Sequence, residues 1–213
     1  MFNKQTTVSV EPLTETISNQ KNNRIGLLGG TFNPPHIGHL IIADQARNQL
    51  GLDEVWFIPT ANPPHAYGKT TIDSEYRVDM LVRAISDNSY FDLNTVEIDR
   101  GGISYTYDTI VELQSKYPDK EFFYIVGADM VQDLPNWHKI DELMEMVQFV
   151  GVNRLKYKRE TTYPIIWVDV PDVNISSTEL RDSVYKGNSI RYLVPREVIK
   201  YIDEKGLYND EED

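Results

Sequence analysis

The sequence predicts an α/β fold, a mostly parallel sheet with helices on both faces. Three observations predict it. Apolar runs of strand length alternate with segments of helical periodicity along most of the chain. Two of those runs end in a glycine-bearing turn that opens a helix, at Gly29-Gly30 and at Gly127. The chain has 213 residues, 40% of them hydrophobic, which is enough core for one such domain.

Ile25-Gly26-Leu27-Leu28 is an apolar run that reads as a buried strand. Residues 40–46 form the body of a helix that ends near Leu50-Gly51, with glycine as the stop signal. Residues 54–59 form the second strand. The connection 60–71 contains Asn62-Pro63-Pro64-His65 and reads as a ligand-facing loop. Helix 74–86 has Tyr76, Met80, Leu81 and Ile85 as its apolar stripe. Residues 91–98 read as a strand, and 105–117 as a helix closed by Pro118. The strongly apolar run 121–127 is the central strand. Helical pieces 129–134 and 139–146 flank Pro135-Asn136-Trp137-His138. Strands at 148–152 and 165–169 and helices at 177–185 and 195–205 complete the domain. Its expected limits are 24–208, with a polar, flexible extension at 1–23 and an acidic tail at 209–213.

Bulk properties narrow the function. A formal net charge of −12 argues against general nucleic-acid binding, which needs a basic surface to neutralise phosphates. It leaves room for a small phosphorylated ligand held by a few local donors. No apolar run approaches the roughly 20 residues of a membrane span. The first residues, Met1-Phe2-Asn3-Lys4, lead into polar sequence rather than a secretory signal, so no membrane contact and a cytoplasmic location are expected. The chain has no cysteine, which removes disulfides, thiolate metal sites and thiol nucleophiles.

The stretch with the most chemistry is Gly29-Gly30-Thr31-Phe32-Asn33-Pro34-Pro35-His36-Ile37-Gly38-His39. A strand, a glycine turn and a helix start together present outward backbone N–H groups and the positive end of a helix dipole to an anion. His36 and His39, three apart, fall on one helix face and can reach one group. The loop is neither a Walker A sequence nor G-x-G-x-x-G, which argues against a P-loop ATPase and a dinucleotide dehydrogenase. A lone His-x-x-His is ordinarily two surface histidines. The glycines and prolines around this one stiffen the loop that presents them.

Three further stretches add to it. Ile175-Ser176-Ser177-Thr178-Glu179-Leu180-Arg181 carries an S-x-x-E capping box, with Arg181 close enough to join a helix N-terminus in holding a phosphate. Ser104-Tyr105-Thr106-Tyr107-Asp108-Thr109 opens a helix, with Thr106 as the expected cap and donors suited to a carboxylate. Gly127-Ala128-Asp129 is the second strand-to-helix turn, and Asp129 can accept from a ribose or base. Tyr107 and Trp137 offer flat faces to an aromatic ring, core packing being the commoner fate of each. Arg154 follows the strand at 148–152. In an open parallel sheet ligands bind beyond the carboxyl ends of the strands, so the two strand-to-helix turns, Gly29–His39 and Gly127–Asp129, should share one crevice. No His-Glu-x-x-His motif or carboxylate cluster occurs, so no protein-held metal is expected, and any Mg2+ should travel on nucleotide phosphates and water.

Together these motifs resemble a known family. The first looks like the signature of the nucleotidyltransferase superfamily, whose His-x-Gly-His is His36-Ile37-Gly38-His39 here. The stretch 175–181 is similar to its second motif, Ile/Val-Ser-Ser-Thr-x-Leu-Arg. Pro63-Pro64-His65, the 104–109 stretch, Gly127-Ala128-Asp129 and Leu134-Pro135-Asn136-Trp137 look like bacterial nicotinate-nucleotide adenylyltransferases. The likeness runs from about Arg24 to Tyr208. It implies a Rossmann-like domain that joins ATP and nicotinate mononucleotide into nicotinate adenine dinucleotide and pyrophosphate, a late step of NAD synthesis. It implies that Gly29, Gly30, Thr31, His36 and His39 cradle the ATP phosphates. Gly127, Asp129 and Ile175 would frame the adenosine, with Ser176, Ser177 and Arg181 on its phosphates or base. Thr106, Tyr107 and Trp137 would hold the pyridine ring and its carboxylate, with Arg154 counted among the substrate contacts. His36, His39 and Arg181 are the residues expected to act in catalysis. Two departures stand out: Ala66 follows Pro-Pro-His where many members have lysine, and residues 1–23 precede the pattern. A sibling adenylyltransferase for nicotinamide mononucleotide or phosphopantetheine, a cytidylyltransferase, and a non-catalytic nucleotide-binding module remain open. A class I tRNA synthetase shares His-Ile-Gly-His, but this chain is short and acidic. A homodimer is a possible assembly that nothing in the sequence fixes.

Overall fold

The computed structural model describes residues 23–62, 71–152 and 161–210. Pro63-Pro64-His65, Ala66 and Arg154 lie outside these residues, as do most of the expected extension and tail.

Among the described residues six strands form one sheet: β1 (Asn23–Gly30), β2 (Glu54–Pro59), β3 (Phe91–Leu93), β4 (Lys120–Gly127), β5 (Gln148–Val152) and β6 (Ile165–Val168). Their order is β3-β2-β1-β4-β5-β6 and every neighbouring pair is parallel. The sheet grows one way from β1 through β2 and the other way through β4. The crevice expected at such a reversal therefore opens beyond the carboxyl ends of β1 and β4.

Alternation along the strands builds two cores. Val55 and Phe57 of β2 with Phe123 and Ile125 of β4 face one core, which also holds Ala43, Met80, Leu180 and Val198. Trp56, Ile58, Phe122, Tyr124 and Val126 face the other, with Ile110, Val131 and Leu143. Helices α1 (Ile37–Leu50), α2 (Ser74–Ile85), α7 (Ser177–Tyr185) and α8 (Arg196–Lys205) cover the first face. Helices α3 (Val96–Arg100), α4 (Thr106–Lys116), α5 (Ala128–Asp133) and α6 (Ile140–Met146) cover the second, with a 3-10 turn at Leu134–Asn136. Both faces are thus buried, which is why the strands read as continuous apolar runs. Gly51 ends α1 in the left-handed region at φ 61, the conformation glycine adopts without a Cβ penalty.

Three local expectations change. Residues 91–98 are not one strand: β3 stops at Leu93 and α3 begins at Val96. The Asn94 side chain accepts from the Val96 N–H at 3.1 Å, a local turn that outcompetes the apolar alternation. Thr106 does not cap α4. Tyr105 occupies the cap position, and Thr106 Oγ1 donates to the Tyr124 hydroxyl at 3.3 Å. Gly29 and Gly30 are the last two residues of β1, paired with Ile58 and Pro59, rather than the turn after it.

Candidate active site

A cavity of about 630 Å³ opens at the carboxyl ends of β1 and β4. Its lining includes Gly29, Gly30, Thr31, His39, Thr106, Gly127, Asp129 and Trp137, contributed by four separate motifs.

Each side of the cavity follows from local chemistry. On the β1 side, the strand is followed by Phe32 at φ 52 and a cis Asn33–Pro34 bond before α1 begins. His36 is the N-cap residue of α1 and is only 6% exposed. Its ring stacks on His39 with centroids 3.6 Å apart and planes 21° apart. The His36 backbone N–H donates to His39 Nδ1 at 3.2 Å. With Nδ1 engaged as an acceptor, the neutral His39 ring carries its proton on Nε2, an assignment that follows from the hydrogen-bond network. His39 is thereby prepared as a donor.

The second motif comes to the same loop from the far end of the chain. Ser176 Oγ accepts from the Glu179 N–H at 3.2 Å and caps α7. Ser177 Oγ donates to the Pro34 carbonyl and Arg181 Nη1 to the Asn33 carbonyl, each at 2.9 Å. Ile175 packs against the first core as the chain enters α7. Ser177 and Arg181 are therefore fixed to the His36 loop, with Ser176 next in the chain, although none of the three lines the cavity itself.

On the β4 side, Gly127 is the N-cap of α5 and Asp129 lies in the first turn. The 3-10 turn presents Trp137 edge-on to Tyr124 and to Phe149, each at 6.0 Å between centroids. Tyr107 stands apart. It does not line the cavity, Lys139 Nζ lies 4.1 Å over its ring, and His138 meets it edge-on at 6.1 Å.

Several residues at the site escaped the sequence reading. Arg77, 2% exposed, donates to the carbonyls of Ile72, Thr31 and Thr60, clamping the ends of β1 and β2 together. Burial pulls its guanidinium below its usual value, partly opposed by Tyr208. The Tyr208 hydroxyl donates to Asn33 Oδ1 at 2.7 Å, inside the protein. Glu97 and Tyr124 line the cavity, beside Ser104 and Tyr105 of the 104–109 stretch and His138 next to Trp137. Burial pushes the Glu97 carboxyl above the usual range, and Thr109, Ser104 and Arg100 pull it back in part. Burial raises the Tyr124 phenol strongly, helped by Glu97 and opposed by Thr106. A signal for Arg77 existed: it stands three and four residues before Met80 and Leu81, on the buried stripe of α2.

The chemistry that this arrangement supports is anion handling at one end and aromatic binding at the other. Among the described residues no three His, Cys, Asp or Glu side chains converge as a metal site. No helix among them is long and apolar enough to cross a membrane.

Residues 27–183 match the model of a cytidylyltransferase-like family. An Enterococcus faecalis protein described as "Probable nicotinate-nucleotide adenylyltransferase" is 53% identical over 199 residues, covering 93% of this chain and 91% of that protein. A Lactiplantibacillus plantarum protein of the same description is 53% identical over 196 residues, covering 92% and 93%. Among solved structures, Plasmodium falciparum nicotinic acid mononucleotide adenylyltransferase complexed with NaAD superposes with a TM-score of 0.75 at 22% identity, covering 88% of this chain and 98% of that one. The complex of the same enzyme with APC gives 0.74. At that identity the likeness speaks for the fold.

Proposed function

This chain belongs to the nicotinate-nucleotide adenylyltransferase family, within the cytidylyltransferase-like group, and on that premise we propose that it transfers the adenylyl group of ATP to nicotinate mononucleotide. The products are nicotinate adenine dinucleotide and pyrophosphate. The observation that carries this reading is one cavity lined both by the β1–α1 phosphate loop and by Thr106, Tyr124 and Trp137.

The reaction needs no enzyme nucleophile. A phosphate oxygen of the mononucleotide attacks the α-phosphorus of ATP. The new O–P bond forms as the α–β bridging bond breaks, and its electron pair leaves with pyrophosphate. The protein's task is to align the two phosphates and to stabilise charge on the phosphoryl oxygens and leaving group. Gly29, Gly30 and Thr31 would bring backbone to the triphosphate. His36, His39 and Arg181 would supply donors, with Ser176 and Ser177 beside them. Gly127, Asp129 and Ile175 would frame the adenosine. Thr106, Tyr107 and Trp137, with Arg154, would hold the nicotinate half. The donors near the phosphates are imidazole, hydroxyl, guanidinium and backbone N–H, none of them a Mg2+ ligand set. A magnesium ion would accordingly sit on the nucleotide phosphates and water, neutralising their charge. The expected setting is the cytoplasm, and a homodimer is the assembly to look for by light scattering.

Pyrophosphate release tests the reading directly. ATP with nicotinate mononucleotide should release it, and the amide mononucleotide should be the poorer acceptor. ATP binding without release from any mononucleotide would identify a binding module instead. A preference for CTP, or for the amide, would move the chain to a sibling activity.

A further inference from the structure

Among the described residues, two buried polar side-chain atoms that make no hydrogen bond belong to residues lining this cavity: Glu97 Oε2 and Trp137 Nε1. Glu97 is 3% exposed. Its other oxygen, Oε1, accepts from Thr109 Oγ1 at 2.8 Å. Thr109 in turn accepts from Arg100 Nη2 at 2.9 Å, and Arg100 Nη1 turns away to Glu112 at 3.2 Å. Arg100 thus reaches Glu97 only through a hydroxyl, and no ion pair to Glu97 occurs among the described residues. The Ser104 hydroxyl, whose oxygen accepts from the Ala61 N–H, also stands beside the carboxyl and helps lower it, yet Oε2 makes no hydrogen bond of good geometry; a buried carboxyl so placed is a costly feature for the fold alone.

We propose that Glu97 selects a carboxylate over a carboxamide on the bound pyridine ring, its Oε2–H donating a hydrogen bond to the ligand's acid group. The inference rests on the proposed activity and names a residue for its specificity. Three features of the cavity favour a ligand carboxylate. The N-terminus of α4 at Thr106 lines it, and its unpaired first-turn N–H groups favour negative charge. Trp137 Nε1–H is a second donor without an acceptor. An O–H donor meeting a carboxylate forms a short, charge-assisted hydrogen bond. A carboxamide would present its own N–H groups to the same donors.

Burial raises the Glu97 carboxyl above the ordinary range, so its O–H persists to higher pH than a surface glutamate's. The donor is present below the folded-state value and lost as pH rises through it. The ionised form would repel a carboxylate and accept from a carboxamide, so preference should turn from acid toward amide as pH rises. The titratable and charged groups around Glu97 are Arg100 on its own helix, Tyr105 at the cap of α4, Glu112 behind Arg100 on α4, Tyr124 on β4, and His39, Asp129 and His138 on the cavity wall. Tyr124 stays protonated throughout, because burial raises it. His39 faces the phosphate end, so its effect cancels in an acid-to-amide ratio.

The test compares kcat/KM for the acid and amide mononucleotides in wild type and Glu97→Gln across the whole pH range in which the enzyme stays folded, starting from the ordinary carboxylate range. The wild-type acid-to-amide ratio should fall roughly tenfold or more across the titration, as expected for loss of a hydrogen bond to a charged group. The substituted glutamine keeps an N–H donor at every pH, so the variant's ratio should stay in favour of the acid and flat. A Glu97→Gln variant whose ratio tracks wild type at every pH overturns the proposal. Calorimetry on the wild type gives an independent reading: in buffers of different ionisation heat, the acid mononucleotide should bind with more proton uptake than the amide. Equal uptake throughout overturns the assignment even if the variant does not fold. A chain that binds both mononucleotides but turns over neither would sink the adenylyl-transfer reading, while the calorimetry would still decide on Glu97.

Discussion

The guanidinium of Arg181 donates to the carbonyl of Asn33 at 2.9 Å, joining positions 148 residues apart. With Ser177 on the neighbouring Pro34 carbonyl, this contact turns two sequence motifs into one structure. A guanidinium has five N–H donors in a fixed fork, so one can hold the loop while others face a phosphate. Arg181→Ala should lower kcat by about 10²-fold, in the range for loss of a transition-state donor. Arg181→Lys should recover little, because a single ammonium cannot serve both partners in that planar geometry. Steady-state pyrophosphate release checks both, with thermal unfolding to show that the fold survives.

His39 is expected to act as a neutral donor through Nε2, because its Nδ1 accepts from the His36 N–H. His39→Ala should cost about 10²-fold or more in kcat, with a smaller change in ATP binding by calorimetry. His39→Ala with wild-type kcat would take the imidazole out of the chemistry.

Arg77 is a prediction about the scaffold. Its guanidinium is buried and meets three carbonyls, two of them at the ends of β1 and β2. Arg77→Met fills much of the space but leaves those carbonyls without their donors, each costing about 1–3 kcal/mol when buried. Chemical denaturation should show a loss of at least about 3 kcal/mol. ATP binding should weaken as well, since the Thr31 carbonyl is one of the three.

Helix α7 falls at Ser177–Tyr185 as read from its capping signal, and the parallel sheet follows from apolar runs alternating with helical stretches. Those are local signals, and local chemistry decided them. Glu97 was hidden because Phe91, Leu93, Val96 and Ile98 mimic a strand, while the Asn94 turn that breaks it depends on one side-chain hydrogen bond. Arg77 was hidden by its charge, since an apolar stripe is read by leaving cations out. Tyr124 looked like one more core residue in an apolar strand. What frees its hydroxyl for the cavity is a glycine on the adjacent strand, a relation created only by sheet pairing.

That glycine gives the sharpest prediction about the pyridine end. A Cβ on Gly29 would lie 2.7 Å from the Tyr124 hydroxyl oxygen and 3.6 Å from the ring carbon bearing it. Gly29→Ala must therefore push that hydroxyl away, disturbing its contact with Thr106 Oγ1 at the start of α4. Overpacking of this kind costs about 1–3 kcal/mol in stability. In kinetics, KM for nicotinate mononucleotide should rise several-fold more than KM for ATP. Adding Tyr124→Phe removes the clashing oxygen and leaves the new methyl in ordinary contact with the ring. The double variant should regain most of the lost stability, measured by thermal unfolding, while KM for the mononucleotide recovers only in part. If the double variant were no more stable than Gly29→Ala alone, the close approach of Gly29 to Tyr124 would not be what requires glycine there.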